Sequence, residues 1–132
     1  MDKLNFVSFN LHGFNNSETY LSDLLNNNDI VFVQEHWQFS NNFGRFASLS
    51  KLHDFVATDS MKYAAQEGVI RGRPYGGIAC FWPKQLGKYI RPIQNVSNPR
   101  VLALELGCGT TIRFYFLMSI CHIWILVTGP TR

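Results

Sequence analysis

The segment Ile30-Val31-Phe32-Val33-Gln34 is a continuous apolar run of β-prone residues, and a strand of that kind fits where both of its faces are covered. Upstream, residues 4–10 form another strand-like run, rich in Phe and Val and without a helical stripe. Between the two, Ser17 can cap a helix whose apolar positions Tyr20, Leu21, Leu24 and Leu25 recur at helical spacing, and Asn26-Asn27-Asn28 stops it. Strand, helix and strand within about thirty residues predict a crossover unit with adjacent parallel strands. The expected fold class is therefore α/β (α+β).

Farther along, Phe43, Phe46, Leu49 and Leu52 recur every three residues and predict a second helix despite Gly44. Residues 55–58 read as a short strand and residues 59–71 as a long surface loop. Residues 76–82, 90–96, 100–106 and 111–118 then arrive as short β-prone runs separated by Pro, Gly, Asn and Ser. That pattern predicts successive antiparallel strands. There is no internal repeat, low-complexity tract or linker, so the chain reads as one folding unit.

With 46% hydrophobic and 14% aromatic residues in a length of 132, the chain can build a core, which excludes wholesale disorder. Twelve basic and nine acidic residues give a net charge of +3, as compatible with ordinary solvation as with a polyanionic partner. Cys80, Cys108 and Cys121 are far apart and form no CxxC pair, so no zinc site or disulfide framework is expected, and a reducing compartment follows. Cys108, between Gly107 and Gly109, reads as part of a strand-joining turn rather than as a nucleophile. Met1-Asp2-Lys3-Leu4 goes directly into a strand-like run too short and too polar for the apolar region of a signal peptide, so secretion is not expected. Residues 114–127 are strongly apolar but are interrupted by Ser119 and His122 and fall short of the roughly 20 residues of a membrane-spanning helix. A buried strand followed by an irregular tail is expected there, and membrane insertion is not.

Both parallel runs stop at side chains able to hold a hard cation or a phosphate. Glu35 is a charged group at the rim of a core, and magnesium suits it because that ion accepts one or two carboxylates, with water and substrate phosphate completing its shell. The position fits equally a loop glutamate paired with a lysine. Asn10 offers a carboxamide that can orient a ligating carboxylate or bind a phosphoryl oxygen, although asparagine at a strand end is most often a turn former. In Arg71-Gly72-Arg73-Pro74-Tyr75-Gly76-Gly77, guanidinium forks suit phosphate oxygens, the phenol can donate to a phosphate or stack, and glycine lets backbone approach a substrate. The competing reading is a solvated hairpin turn. No GxxxxGK loop, GxSxG elbow or helical His pair is present, and Asp54 and Asp59 match no motif.

Taken together and in order, Ser8-Phe9-Asn10-Leu11-His12-Gly13-Phe14, Val33-Gln34-Glu35-His36-Trp37 and residues 71–79 resemble the endonuclease/exonuclease/phosphatase superfamily. The nearest likeness is to the endonuclease domains at the front of non-LTR retrotransposons. It covers residues 4–118 and implies a partial four-layer α/β sandwich, with residues 1–118 as the N-terminal portion of the domain and residues 119–132 as an atypical apolar tail. The resemblance further implies a Mg2+ cofactor, with Mn2+ as a substitute, and DNA as partner, with no obligate protein partner and an intracellular, nuclear setting. It assigns a metal-ligand role to Glu35, an organising role beside the metal to Asn10, and contacts to substrate phosphate to Arg73 and Tyr75. Where many relatives have an acidic residue two positions after the asparagine, this chain has His12.

The family's Asp-x-Asn segment and terminal Asp-His pair, which orient the attacking water and stabilise the leaving group, are absent from this sequence. The expectation is a metal-dependent phosphodiesterase domain, weakly active or inactive as this chain. The alternatives are a non-catalytic remnant that binds nucleic acid weakly and a phosphatase of the same superfamily. A chain of this extent is also expected to leave one sheet's inner face uncovered, exposing Phe81, Trp82, Val101, Leu104 and Phe116 and causing self-association.

Overall fold

The computed structural model describes residues 3–61, 75–93, 98, 100–108, 112–119 and 122–129. The crossover unit forms as its sequence requires. Strand β1 (Phe6–Asn10) runs parallel to β2 (Ile30–Gln34), with Phe6 opposite Ile30 and Asn10 opposite Gln34. Helix α1 (Glu18–Asn27) joins them and buries Leu21 and Leu25 in the same cluster as Val31 and Val33. Ser17 does not cap this helix. Its hydroxyl donates instead to the Leu11 carbonyl at 2.8 Å, tying the helix entry to the end of β1. The asparagine run ends the helix by a direct route, because Asn27 and Asn28 donate their amides to the carbonyls of Asp23 and Leu24, acceptors in the last turns.

Helix α2 (Gly44–Leu49) and strand β3 (His53–Ala57) follow, and the expected longer helix stops short of Leu52, which is exposed between them. Strand β4 (Ile78–Pro83) departs from the expected meander. It inserts between β2 and β3, antiparallel to both, giving a first sheet in the order β1-β2-β4-β3. The physical reason lies in its composition: the first five residues, Ile78-Ala79-Cys80-Phe81-Trp82, are all buried, a demand met by a central strand. The later runs do form an antiparallel meander, β5 (Ile90–Pro92), β6 (Leu102–Cys108) and β7 (Ile112–Met118), which β8 (Ile123–Thr128) extends into a second four-stranded sheet.

The two sheets pack face to face through Ile30, Phe32, Ile78, Cys80 and Trp82 on one side and Leu102, Leu104, Leu106, Phe116 and Met118 on the other. Val31, Val33, Ala79 and Phe81 face the opposite way, under α1 and α2. Helices, sheet and sheet thus make three layers in sequence. The expectation of an uncovered inner face is corrected by this arrangement: Trp82, Leu104 and Phe116 are buried between the sheets, Phe81 lies beneath the helices, and Val101 is half-buried. What stays open on that face is its β8 margin, where Ile125 and Val127, opposite Phe116 and Phe114, are exposed. Residues 114–127 contain two strands rather than one strand and a tail, and β8 is largely exposed instead of buried. Among the described residues no helix is long and apolar enough to cross a membrane. Cys80 is fully buried, and that burial pushes its thiol well above its ordinary value.

Phe46 is the hub of the helix-side core, with its ring against those of Phe14, His36, Phe43, Phe55 and Phe81. Removing so well surrounded a ring leaves a cavity its neighbours fill only in part. Phe46→Ala is expected to lower stability by about 3 to 5 kcal/mol in urea denaturation. A loss below about 1 kcal/mol would show that α2 is not anchored through this residue.

Candidate active site

Parallel pairing carries β1 and β2 to the same end of the first sheet, and the chain after each strand is locked to the other. The Leu11 amide donates to the Gln34 carbonyl, Gly13 to Glu35 and Phe14 to His36, at 2.9 to 3.0 Å. The turn that precedes β4 joins them, since the Trp37 amide donates to the Gly76 carbonyl at 2.9 Å. Every positive-φ residue described lies in these three turns: His12, Gly13, Glu35, Trp37, Gly76 and Gly77. Left-handed backbone at a residue other than glycine costs on the order of 1–2 kcal/mol, so three such residues persist only where surrounding bonds enforce them.

Glu35, with φ of 56°, projects its carboxylate into this junction. Oε2 accepts the Trp37 indole N–H at 2.6 Å and the Gly76 amide at 3.1 Å. Oε1 has no hydrogen-bond partner among the described residues, and no lysine, arginine or histidine there forms an ion pair with Glu35. The loop-glutamate alternative, which needed a lysine, therefore has no partner among them. A cavity of about 230 Å3 opens beside the carboxylate, lined by Glu35, Ser60, Tyr75, Gly76, Gly77, Ile78 and Arg100.

Asn10 lies opposite Gln34, one residue before Glu35, so the structure brings the two predicted residues to one strand end. Its carboxamide oxygen accepts the His12 amide at 3.0 Å, the turn-forming role. Tyr75 is half-exposed at the cavity wall. Arg73, with Arg71, lies outside the described residues. Arg100 was not singled out by sequence. It sits before β6 behind a turn in which its amide and that of Val101 donate to Asn98, and nothing local distinguishes it from the other arginines.

The paired glycines have a role different from the one expected. A Cβ on Gly77 would lie 2.2 Å from Cε1 of His36, and one on Gly76 would lie 2.7 Å from Cβ of Ser60. Both positions make room for packed side chains, while the Gly76 N–H holds Glu35. His36 itself is fully buried, and its Nδ1 accepts the Gln38 amide while Nε2–H donates to the Thr58 carbonyl at 2.8 Å. Burial pushes its pKa down to about 4, against the opposing pull of the Thr58 carbonyl and the Asp59 and Glu35 charges. Asp59 fastens the neighbouring loop: its carboxylate accepts the amide and hydroxyl of Ser40 and the amide of Met61.

The donor set fits a hard cation held through few protein ligands. Glu35 supplies a carboxylate oxygen with no other partner among the described residues, and Asn10 a carboxamide oxygen with a spare lone pair. No group of three or more His, Cys, Asp or Glu able to hold a metal occurs among the described residues.

Neither a family model nor a curated protein matches the sequence. Solved structures do. The chain is similar to the AP endonuclease LMAP from Leishmania major, with a TM-score of 0.57, 15% identity, and 98% of this chain matching 40% of that one. The 3' phosphatase NExo from Neisseria, bound to a product DNA hairpin, gives 0.54 and 15% identity over 86% of this chain and 40% of its own. An AP endonuclease from Archaeoglobus fulgidus gives 0.53 and 13% over 80% and 38%. The chain thus has the mixed α/β fold of these proteins and spans about two fifths of their length.

The buried imidazole makes a pH prediction. Its folded pKa lies below the unfolded value of 6.5, so the unfolded state binds more protons between pH 6.5 and about 4, and stability falls as pH drops through that window. Between pH 7 and pH 5 the expected loss from His36 is about 2 kcal/mol. His53, also held below its ordinary value by burial, adds in the same direction. Urea titrations across this range should show a shallower pH slope in His36→Gln than in wild type, and an unchanged slope would remove His36 as the cause.

Proposed function

We propose that this chain is a phosphodiesterase-type module of retrotransposon-endonuclease descent that takes DNA as its substrate at the β1–β2 strand end. The observation that carries the reading is Glu35: a carboxylate fixed through Oε2 by Trp37 and Gly76, with Oε1 without a partner among the described residues, beside a cavity that Tyr75 and Arg100 also line. The motif resemblance and a fold shared with AP endonucleases support it. In this reading Glu35 holds Mg2+ or Mn2+, with Asn10 beside it, and the bound ion would polarise the scissile phosphate. Tyr75, Arg73 and Arg100 would grip the phosphodiester backbone, the arginines through their forked N–H groups. A nuclear location belongs to the same proposal.

The second reading is a nucleic-acid-binding remnant without catalysis. It is favoured by the sparse ligand set, since no group of three or more His, Cys, Asp or Glu able to hold a metal occurs among the described residues. Calorimetric titration separates the parts of the proposal. Mn2+ is expected to bind weakly, with Kd on the order of millimolar, because water must supply most of its shell, and Glu35→Gln should abolish that binding. Equal binding by wild type and variant would place the metal elsewhere and sink the assignment.

Nicking of supercoiled DNA by the 132-residue chain should be absent or very slow. Robust Mg2+-dependent nicking lost in Asn10→Ala would overturn that inactivity while supporting the nuclease assignment.

A further inference from the structure

Two N–H donors converge on the same oxygen of Glu35. The Trp37 indole donates to Oε2 at 2.6 Å and the Gly76 amide at 3.1 Å. A carboxylate oxygen accepts through a pair of lone pairs, so these bonds fill Oε2, while Oε1 has no hydrogen-bond partner among the described residues. The oxygens of a single side chain are thereby made unequal. An indole suits that task because its N–H is a donor only, and the ring cannot itself ligate a cation.

The indole is seated by the turn that follows β1. A Cβ on Gly13 would lie 2.6 Å from Cε3 of Trp37, so glycine leaves the ring its place there. The His12 ring packs against the indole with centroids 4.8 Å apart. Main-chain bonds fix the surroundings, with the Gly13 amide donating to the Glu35 carbonyl and the Trp37 amide to the Gly76 carbonyl, each at 2.9 Å. A donor anchored in this way confines the carboxylate rather than following it.

We propose that Trp37 is a positioning residue that limits Glu35 to one-oxygen ligation of a divalent cation and so favours Mg2+ and Mn2+ over Ca2+. The inference rests on the reading of Glu35 as the metal ligand. Ca2+ gathers about 6 to 8 oxygens and gains from a carboxylate that offers both of its own, whereas the octahedral shell of Mg2+, which Mn2+ shares, can be filled by a single carboxylate oxygen and water. With Oε2 occupied, chelation through both oxygens requires breaking a charge-assisted bond to the indole. That cost falls on Ca2+.

Water-proton relaxation reports Mn2+ binding to the whole chain, and Ca2+ added as a competitor gives the ratio of the two affinities. Wild type should bind Mn2+ more tightly than Ca2+. Trp37→Phe, which keeps a ring against Gly13 and removes the N–H, should narrow that ratio by about tenfold, the size of effect expected when a partner of a ligating side chain is lost. Damage to the fold alone would weaken both ions alike and leave the ratio unchanged. Difference infrared spectra of the wild type give a second readout that stands even where the variant does not fold: the carboxylate bands that appear on Mn2+ loading and vanish in Glu35→Gln should show the wide splitting of one-oxygen ligation, not the narrow splitting of chelation. Mn2+ binding retained in Glu35→Gln would take the metal away from Glu35 and this inference with it. Binding lost in Glu35→Gln together with an unchanged ratio in Trp37→Phe, or with a narrow splitting in wild type, would overturn the role of Trp37 and leave Glu35 as the ligand.

Discussion

The geometry of the strand end depends on a dry imidazole. His36 has no solvent exposure, and its two ring nitrogens are occupied, one by the Gln38 amide and one by the Thr58 carbonyl. The bond to Thr58 joins the chain leaving β2 to the chain leaving β3, two segments distant in sequence that flank the candidate carboxylate. An unpaired polar group in such a place would cost about 1–3 kcal/mol, so pairing both nitrogens is what lets the ring stay inside. The same ring dictates glycine at position 77, where even a methyl group would collide with it. Ring and glycine are therefore one constraint written at two places in the chain.

Glu35 precedes that ring and Trp37 follows it, and both take left-handed backbone. With His36 directed inward, the residues on either side meet: the indole N–H reaches back to the carboxylate at 2.6 Å. Against the strain stand the main-chain bonds that bind the three turns together, each worth about 0.5–1.5 kcal/mol net. Several such bonds offset three strained residues. A carboxylate fixed in this way has one oxygen committed to structure and the other without a partner among the described residues, the preorganisation that the proposed cation would require.

Much of this was legible in local sequence. Ile30–Gln34 had to be a strand buried on two faces, and Glu35 stood out because a charge ended an apolar run. The parallel pair followed from the helix between its strands. Other features depended on pairings that no local window contains. Strand β4 reads like the runs after it, yet joins the first sheet because all of its first five residues need cover. Ser17 has the composition of a cap, but its hydroxyl is turned to the Leu11 carbonyl, to which it donates, and it accepts no helix N–H. The glycine pair looked like a flexible approach to substrate, and only the location of His36 shows it to be a steric requirement. Arg100 reaches the cavity through the inter-sheet arrangement, which short-range spacing does not encode.

The second sheet carries a gradient of polarity across its outer face. At the β5 side, Glu105 is almost buried and accepts Arg91 and Arg113 at 2.6 Å each, bonds that hold its carboxyl below its ordinary value, with Arg91 the larger influence. The two guanidiniums are themselves largely solvated, so the triad turns that side of the sheet toward water. Across β7 the charges stop: Arg113 is opposite Thr128, and Tyr115 and Leu117 are opposite Leu126 and Trp124. One flank of the same surface is thus charged and hydrated, and the other is apolar and exposed. Because adjacent strands sit about 4.8 Å apart, this change occurs over two strand spacings, too short a distance for screening by salt to separate the two regimes.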